Sequence, residues 1–229
     1  MAALVAAGAL ATGCGQRADE DTGTDRSDAE MYESVEEITE SLAPDGVTIR
    51  VGSTRAETTV HLYEDMRCPV CGEFETEGGG DALREMVLSG GVRTEYTLAS
   101  FLDDRLTGKG SKKAANALRA ALDEGKFVEY HDVLFDHQPE ELVDGYTDEF
   151  LLKMAAKVRG LRGPEFDAAV KGMKYRAFVT ASQKAFDDSQ ANGTPAMEVN
   201  GTLVSDEYFG GIFDKDTLPL VIAFTGAGT

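Results

Sequence analysis

Glu64-Asp65-Met66-Arg67-Cys68-Pro69-Val70-Cys71-Gly72-Glu73-Phe74 is the stretch on which the reading of this chain turns. Just before it, Val60 and Leu62 alternate with Thr59, His61 and Tyr63 in the two-residue period of a strand. Pro69 suits the first position of a helix, where its missing N–H costs nothing. Two thiols three residues apart therefore fall where a strand gives way to a helix. They can close a small disulfide ring, supply half of a metal site, or simply pack.

A structural zinc site needs four ligands. The chain has no second cysteine pair, and His61, His131 and His137 stand at no zinc-finger spacing from Cys68 and Cys71. A purely structural disulfide in so short a ring would constrain little chain. Redox exchange fits the position better. A cysteine at a helix N-terminus is stabilised as thiolate by backbone N–H groups and the helix dipole. Cys68 has that place. Arg67 is expected to add to the effect, and Glu64, Asp65 and Glu73 to oppose it where they lie close. Cys71, one turn further in, is expected to be the more buried and to resolve a mixed disulfide formed at Cys68. At this level the metal and structural uses stay open.

Working outward, the 229 residues hold 41 Asp and Glu against 22 Lys and Arg, a formal charge of −19. That balance excludes nucleic acid as a partner, since phosphate binding needs basic surface. It also argues against electrostatic docking to anionic lipid. The third cysteine is Cys14, which follows an uncharged Ala, Leu, Val and Gly run from Met1 to Gly13. That run has the character of a signal-peptide core, so residues 1–13 are read as a signal. Ala11-Thr12-Gly13-Cys14 resembles a lipobox, with Cys14 as the lipid anchor. Leu10 stands four places before the cysteine, where lipoboxes usually have Leu at three, and no Lys or Arg precedes Arg17. With Cys14 acylated, Cys68 and Cys71 are the only thiols left. Gln16 to Asp45 carries eleven Asp or Glu against two Arg. Residues 14–45 are thus expected to form a disordered acidic tether, with a frayed helix from Glu30 to Leu42.

Val47, Ile49 and Val51 alternate as a first strand, and Thr58 to Tyr63 forms the second. The helix begun at Pro69 breaks at Gly78-Gly79-Gly80, resumes from Asp81 and stops at Gly90-Gly91. Val92, Thr94, Tyr96 and Leu98 alternate as a third strand. Residues 46–106 make up this first half. From Thr107 to Gln190 the period is helical, with apolar stripes such as Phe127, Tyr130, His131, Leu134 and Phe135. On that stripe His131 reads as a packed, hydrogen-bonded core residue. The strand period returns after Thr194-Pro195, where Asn200-Gly201 is a hairpin signal between Met197 to Val199 and Thr202 to Val204. Leu218 to Ile222 reads as a last helix, so residues 191–229 form the second half. A β-α-β start and a β-β-α finish around a helical block at 107–190 is an α/β chain of thioredoxin-type architecture.

Three motifs in that order carry a resemblance. Tyr63 to Cys71, Gly125-Lys126-Phe127-Val128-Glu129-Tyr130-His131, and Gly193-Thr194-Pro195-Ala196-Met197 look like the DsbA-like thiol-disulfide oxidoreductases. The likeness is strongest to the exported or anchored branch of actinobacteria and other Gram-positive bacteria. It covers the chain from about Val47 to the C-terminus. The resemblance implies a thioredoxin fold with an inserted helical domain, Cys68 as attacking thiolate and Cys71 as resolving thiol. It implies a cis bond before Pro195 beside the disulfide, and Thr194 offering backbone to an extended substrate. It implies reduced or disulfide-containing exported proteins as partners, a membrane redox partner and no cofactor. Location would be extracytoplasmic, anchored at the outer face of the cell membrane as a lipoprotein, or secreted. The expected activity is oxidation, with reduction, isomerisation or a non-catalytic binding lipoprotein as alternatives. Pro69-Val70 lacks the His of strongly oxidising enterobacterial members, and Arg67 replaces the Trp of thioredoxin itself. Leu62 stands where many relatives have a buried acid, leaving Glu64, Asp65 or water to accept the proton.

Overall fold

The computed structural model describes Met1 and residues 30–227. The expected signal at 1–13, the expected anchor Cys14 and the expected tether as far as residue 29 otherwise lie outside the described residues. A six-stranded sheet runs through the domain. Its strands are β1 (Glu40–Leu42), β2 (Ile49–Val51), β3 (Thr58–Asp65), β4 (Val92–Ala99), β5 (Ala196–Val199) and β6 (Thr202–Leu203), in the spatial order β1-β2-β4-β3-β5-β6. Among the described residues only β3 and β4 pair in parallel. Their crossover holds α1 (Pro69–Thr76) and α2 (Gly79–Leu88). The break between these helices falls at the glycine run, with Gly78 at φ 125°. The β5–β6 turn places Asn200 and Gly201 both at positive φ, as a two-residue hairpin requires.

Along β3 the alternation sorts the faces. Val60 and Leu62 belong to the main core, whereas Tyr63 joins a smaller cluster with Ala99 and Phe186. Both faces of the central strand are therefore covered. Between β4 and β5 come α3 (Leu102–Leu106), α4 (Gly110–Asp123), α5 (Phe127–Asp136), α6 (Asp148–Ala155), α7 (Pro164–Gly172) and α8 (Arg176–Asp187). The helical block expected over 107–190 begins earlier, with α3 at Leu102; its apolar stripes supply much of the core: Ala117, Leu118, Phe127, Leu134 and Leu151 are all buried. After β6 come α9 (Asp206–Phe209) and α10 (Leu218–Gly226).

The acidic N-terminal segment departs from expectation. From Glu30 onward it is ordered against the domain, and no helix spans Glu30 to Leu42. A single 3-10 turn at Val35–Glu37 leads into β1, which pairs with β2. Two causes are visible. Ile38 and Ala43 are buried, apolar anchors hidden among the acids. Glu40 caps the start of α5 from a distance, accepting hydrogen bonds from Phe127 N at 2.7 Å and Val128 N at 3.1 Å.

The end of β3 is tied to the helical block by buried charge. The Arg67 guanidinium donates to Asp103 Oδ1 (3.1 Å), Thr107 O (3.0 Å) and Glu141 O (3.1 Å). Asp103 in turn accepts from Ser111 N and Lys112 N, capping α4. Asp103→Ala strands a buried guanidinium and uncaps a helix together. It should destabilise the protein by about 3–5 kcal/mol, read by urea unfolding; a loss no larger than that of a surface ion pair would refute the clamp.

Candidate active site

Asp65 ends β3 and sets the turn into α1. Its carboxylate accepts from Arg67 N (3.0 Å), Ser111 Oγ (2.6 Å) and Leu102 N (3.1 Å). Cys68 then occupies the N-cap of α1, with Pro69 at the first helical position. Pro69 is exposed and Val70 half-buried, so the CxxC turn meets solvent through its two central residues. Cys68 is 7% exposed and Cys71 is fully buried. Both sulfurs are free thiols.

The Thr194-Pro195 peptide is cis and lies against this turn. The Cys68 thiol donates to Thr194 O at 3.1 Å. Cys68, Pro69, Val70, Cys71, Thr194 and Pro195, expected to converge, do so. Arg67 does not join them as a charge: its guanidinium is committed to Asp103 and two carbonyls, so the expected help to the thiolate comes from elsewhere.

The two thiols sit in opposed environments. Cys68 is pulled down to about 6, first by the hydrogen bond from the Cys71 thiol, then by the Thr194 hydroxyl and the helix-start N–H groups of Cys71 and Val70, against the cost of burial. The contact to Thr194 O serves the protonated form, since a thiolate has nothing to donate. The Thr194 hydroxyl has no partner among the described residues and can turn to the ionised sulfur. Cys71 is pushed well above its usual value, first by burial, then by its bond to Cys68 and by the Glu64 charge. Burial raises Glu64 to about 8 and Asp65 to about 6. Of these two acids, Asp65 is occupied by three donors. Glu64 acts on Cys71 through its charge, while its Oε2 meets His131 Nε2 at 3.0 Å.

Sequence reasoning missed two features. Gln138, just beyond α5, donates from Nε2 to Met66 O (3.0 Å) and Cys68 O (2.8 Å), holding the redox turn from the helical block. A side chain at Gly72 would collide with it. Nothing in the local pattern of Gln138-Pro139 marks that role. His131 is buried on its apolar stripe as expected, but it also meets Glu64 Oε2 at 3.0 Å, and Glu75 lies beside both. The acids at 64 and 75 are far from His131 in sequence, so only the fold joins them.

A polarised thiol pair at a helix start, roofed by a cis-proline loop on a thioredoxin fold, defines a class capable of disulfide exchange. A thioredoxin family model matches residues 45–210, and the chain belongs to that family. Disulfide bond formation protein D of Bacillus subtilis is 25% identical over 161 residues, covering 68% of this chain and 69% of its own. The reduced structure of DsbA from Mycobacterium tuberculosis superposes with a TM-score of 0.61 at 26% identity, over 80% of this chain and 99% of that one. The sodium/proton antiporter NhaA 3 of Salinispora tropica is 28% identical over 173 residues, 74% of this chain. The chain spans about a quarter of that antiporter's length. Among the described residues no helix is long and apolar enough to cross a membrane.

The Cys68 contacts favour ionisation in the folded, reduced state. That contribution is full above pH 9.0, the ordinary thiol value, and is lost as pH falls through about 6. Thiolate absorbance of the reduced protein should therefore titrate near pH 6. Cys71→Ala should move the midpoint upward by removing the largest favourable contact; an unchanged midpoint would contradict that assignment.

Proposed function

We propose that this protein is an extracytoplasmic protein disulfide oxidoreductase that donates its Cys68–Cys71 disulfide to exported proteins. The observation that carries the reading is geometric: Cys68 stands at the N-cap of α1 against Thr194 O of the cis-proline loop, and Cys71 is fully buried one turn further in. In the oxidised protein a substrate thiolate attacks Cys68 Sγ. The Cys68–Cys71 bond breaks, a substrate–Cys68 disulfide forms, and the electron pair leaves on Cys71, which takes up a proton. A second substrate thiolate then attacks the substrate sulfur. Its own disulfide closes and Cys68 departs as a thiolate. Substrate is oxidised by two electrons and the protein is reduced by two. A low-pKa leaving group speeds the second step and stabilises the reduced form, which makes the couple more oxidising. Cys71 needs proton transfer in both directions, and Glu64, raised to about 8 by burial, is poised for that near neutral pH.

Thr194 and Pro195 form the wall beside Cys68 against which an extended segment would lie, held through backbone rather than side chains. Reoxidation falls to a membrane redox partner. Cys14 is the proposed lipid attachment that keeps the domain at the outer face of the membrane.

Cys71→Ala should accumulate mixed disulfides with exported proteins at Cys68, and Cys68→Ala none. The reduction potential should lie nearer the strongly oxidising end at about −120 mV than the thioredoxin value of about −270 mV. A potential near the latter would reverse the direction to reduction. In a kinetic exchange assay with both cysteines present, Glu64→Gln should slow attack of Cys71 on a mixed disulfide at Cys68 by about 100-fold at neutral pH, with the deficit closing as pH rises and Cys71 ionises unaided. Cys14→Ser should shift the protein from the membrane to the soluble fraction; continued membrane association would count against the lipid anchor.

A further inference from the structure

Next to the redox turn, three titratable side chains from three elements meet in the interior. Glu64 comes from the end of β3, Glu75 from the last turns of α1 and His131 from the middle of α5. All three are buried. His131 Nε2 lies 3.0 Å from Glu64 Oε2, and one donor atom from each residue falls within 4.8 Å of the others. Glu64 Oε1 and Glu75 Oε1 are buried and have no hydrogen-bond partner among the described residues. The nearby guanidinium does not compensate them directly: Arg84 is engaged with Asp81 at 2.7 Å and Asp132 at 2.8 Å. Two carboxyl groups in the interior with open oxygens are costly unless something positive is shared between them.

We propose that Glu64, Glu75 and His131 bind one divalent transition cation of the zinc class. The donor set suits such an ion, which takes imidazole nitrogen and carboxylate oxygen at about 2.0–2.2 Å. Neighbouring donors of a tetrahedral ion at those distances stand about 3.3–3.5 Å apart. The Glu64–His131 pair is already close to that spacing, and the third donor needs to close by no more than about 1.4 Å. Two carboxylates and a neutral imidazole cancel the charge of the ion, so no net charge is left in the core. The fourth position can be served by water. Glu75 borders a cavity of about 20 Å³ that also holds Thr94, whose buried Oγ1 has no partner among the described residues. That volume accommodates one water molecule.

Glu75 also lines a pocket of about 180 Å³, together with Asp81, Asp132, Asp136 and the cation Arg84. An acidic lining of this kind concentrates cations. A bound ion would make Glu64 a ligand and withhold it from Cys71, so exchange would be slowed by the metal. That consequence rests on the proposed function, whereas the binding itself does not. The competing way to hold the two carboxyls is a shared proton.

The test uses the full-length oxidised protein carrying Cys14→Ser, so that no thiolate is available, titrated with Zn²⁺ in a calorimeter. One site per chain is expected, with protons released on binding. His131→Ala and Glu75→Gln should each weaken binding by roughly 100-fold or more, at or beyond the ~10–100-fold cost of losing an outer-shell partner. Thermal melts establish that both variants remain folded. Asp136→Asn, in the acidic lining, should leave the stoichiometry at one. The site is overturned if Zn²⁺ shows no saturable one-to-one binding, which leaves the shared proton as the occupant. It is equally overturned if both interior variants bind as tightly as the parent, or if Asp136→Asn loses as much as His131→Ala. Disulfide exchange by the zinc-free protein is read separately, so failure of the metal site and failure of the proposed function are distinguishable.

Discussion

Asp65 and Arg67 hold the molecule together at its functional end. One carboxylate at the end of β3 receives the turn N–H, a hydroxyl from α4 and the backbone of α3. One guanidinium two residues later reaches Asp103 and two loop carbonyls of the helical block. Sheet, redox turn and insertion are thereby fixed relative to one another before any packing is counted. Such groups are expensive to bury, and each is matched by several partners. The rigidity they confer is what a thiol pair needs, because its chemistry depends on where a few N–H groups and one carbonyl stand.

Within that frame the two cysteines are separated by about one helical turn and treated oppositely. Cys68 collects hydrogen-bond donors at the helix start and from the Thr194 loop. Cys71 is sealed in the core beside a carboxyl group. The asymmetry makes one sulfur the nucleophile and leaving group and leaves the other to be activated by proton transfer. Gln138 adds a tether from the insertion to the carbonyls on either side of Arg67. The helical block is therefore part of the support of the redox turn as well as a lid on the sheet.

The interior group Glu64, Glu75 and His131 belongs to the same region but obeys a different logic. Its members come from the sheet, the redox helix and the insertion, and two open carboxyl oxygens remain there. Hydrophobic patterning places His131 inward on its helix, and that much is a packing requirement. What the imidazole meets there depends on how α5 docks against α1 and β3.

Short-range patterns were enough for the CxxC at a strand-to-helix junction, the glycine break between α1 and α2, the Asn200-Gly201 turn and the helical run between the halves. Each rests on local sterics or on the period of apolar residues, which a linear string records. The acidic segment was misread because its composition outweighed Ile38 and Ala43, and because Glu40 gains its place by capping a helix almost ninety residues away. Arg67 was misassigned for a similar reason: adjacency in the chain says nothing about where a long side chain finds its carboxylate. The residue types at 64, 75, 131 and 138 were plain to see, but their joint environment was not. Long-range proximity, burial and the pairing of charges are properties of the packed chain. They set the polarity of the two thiols and bring three distant donors to one point.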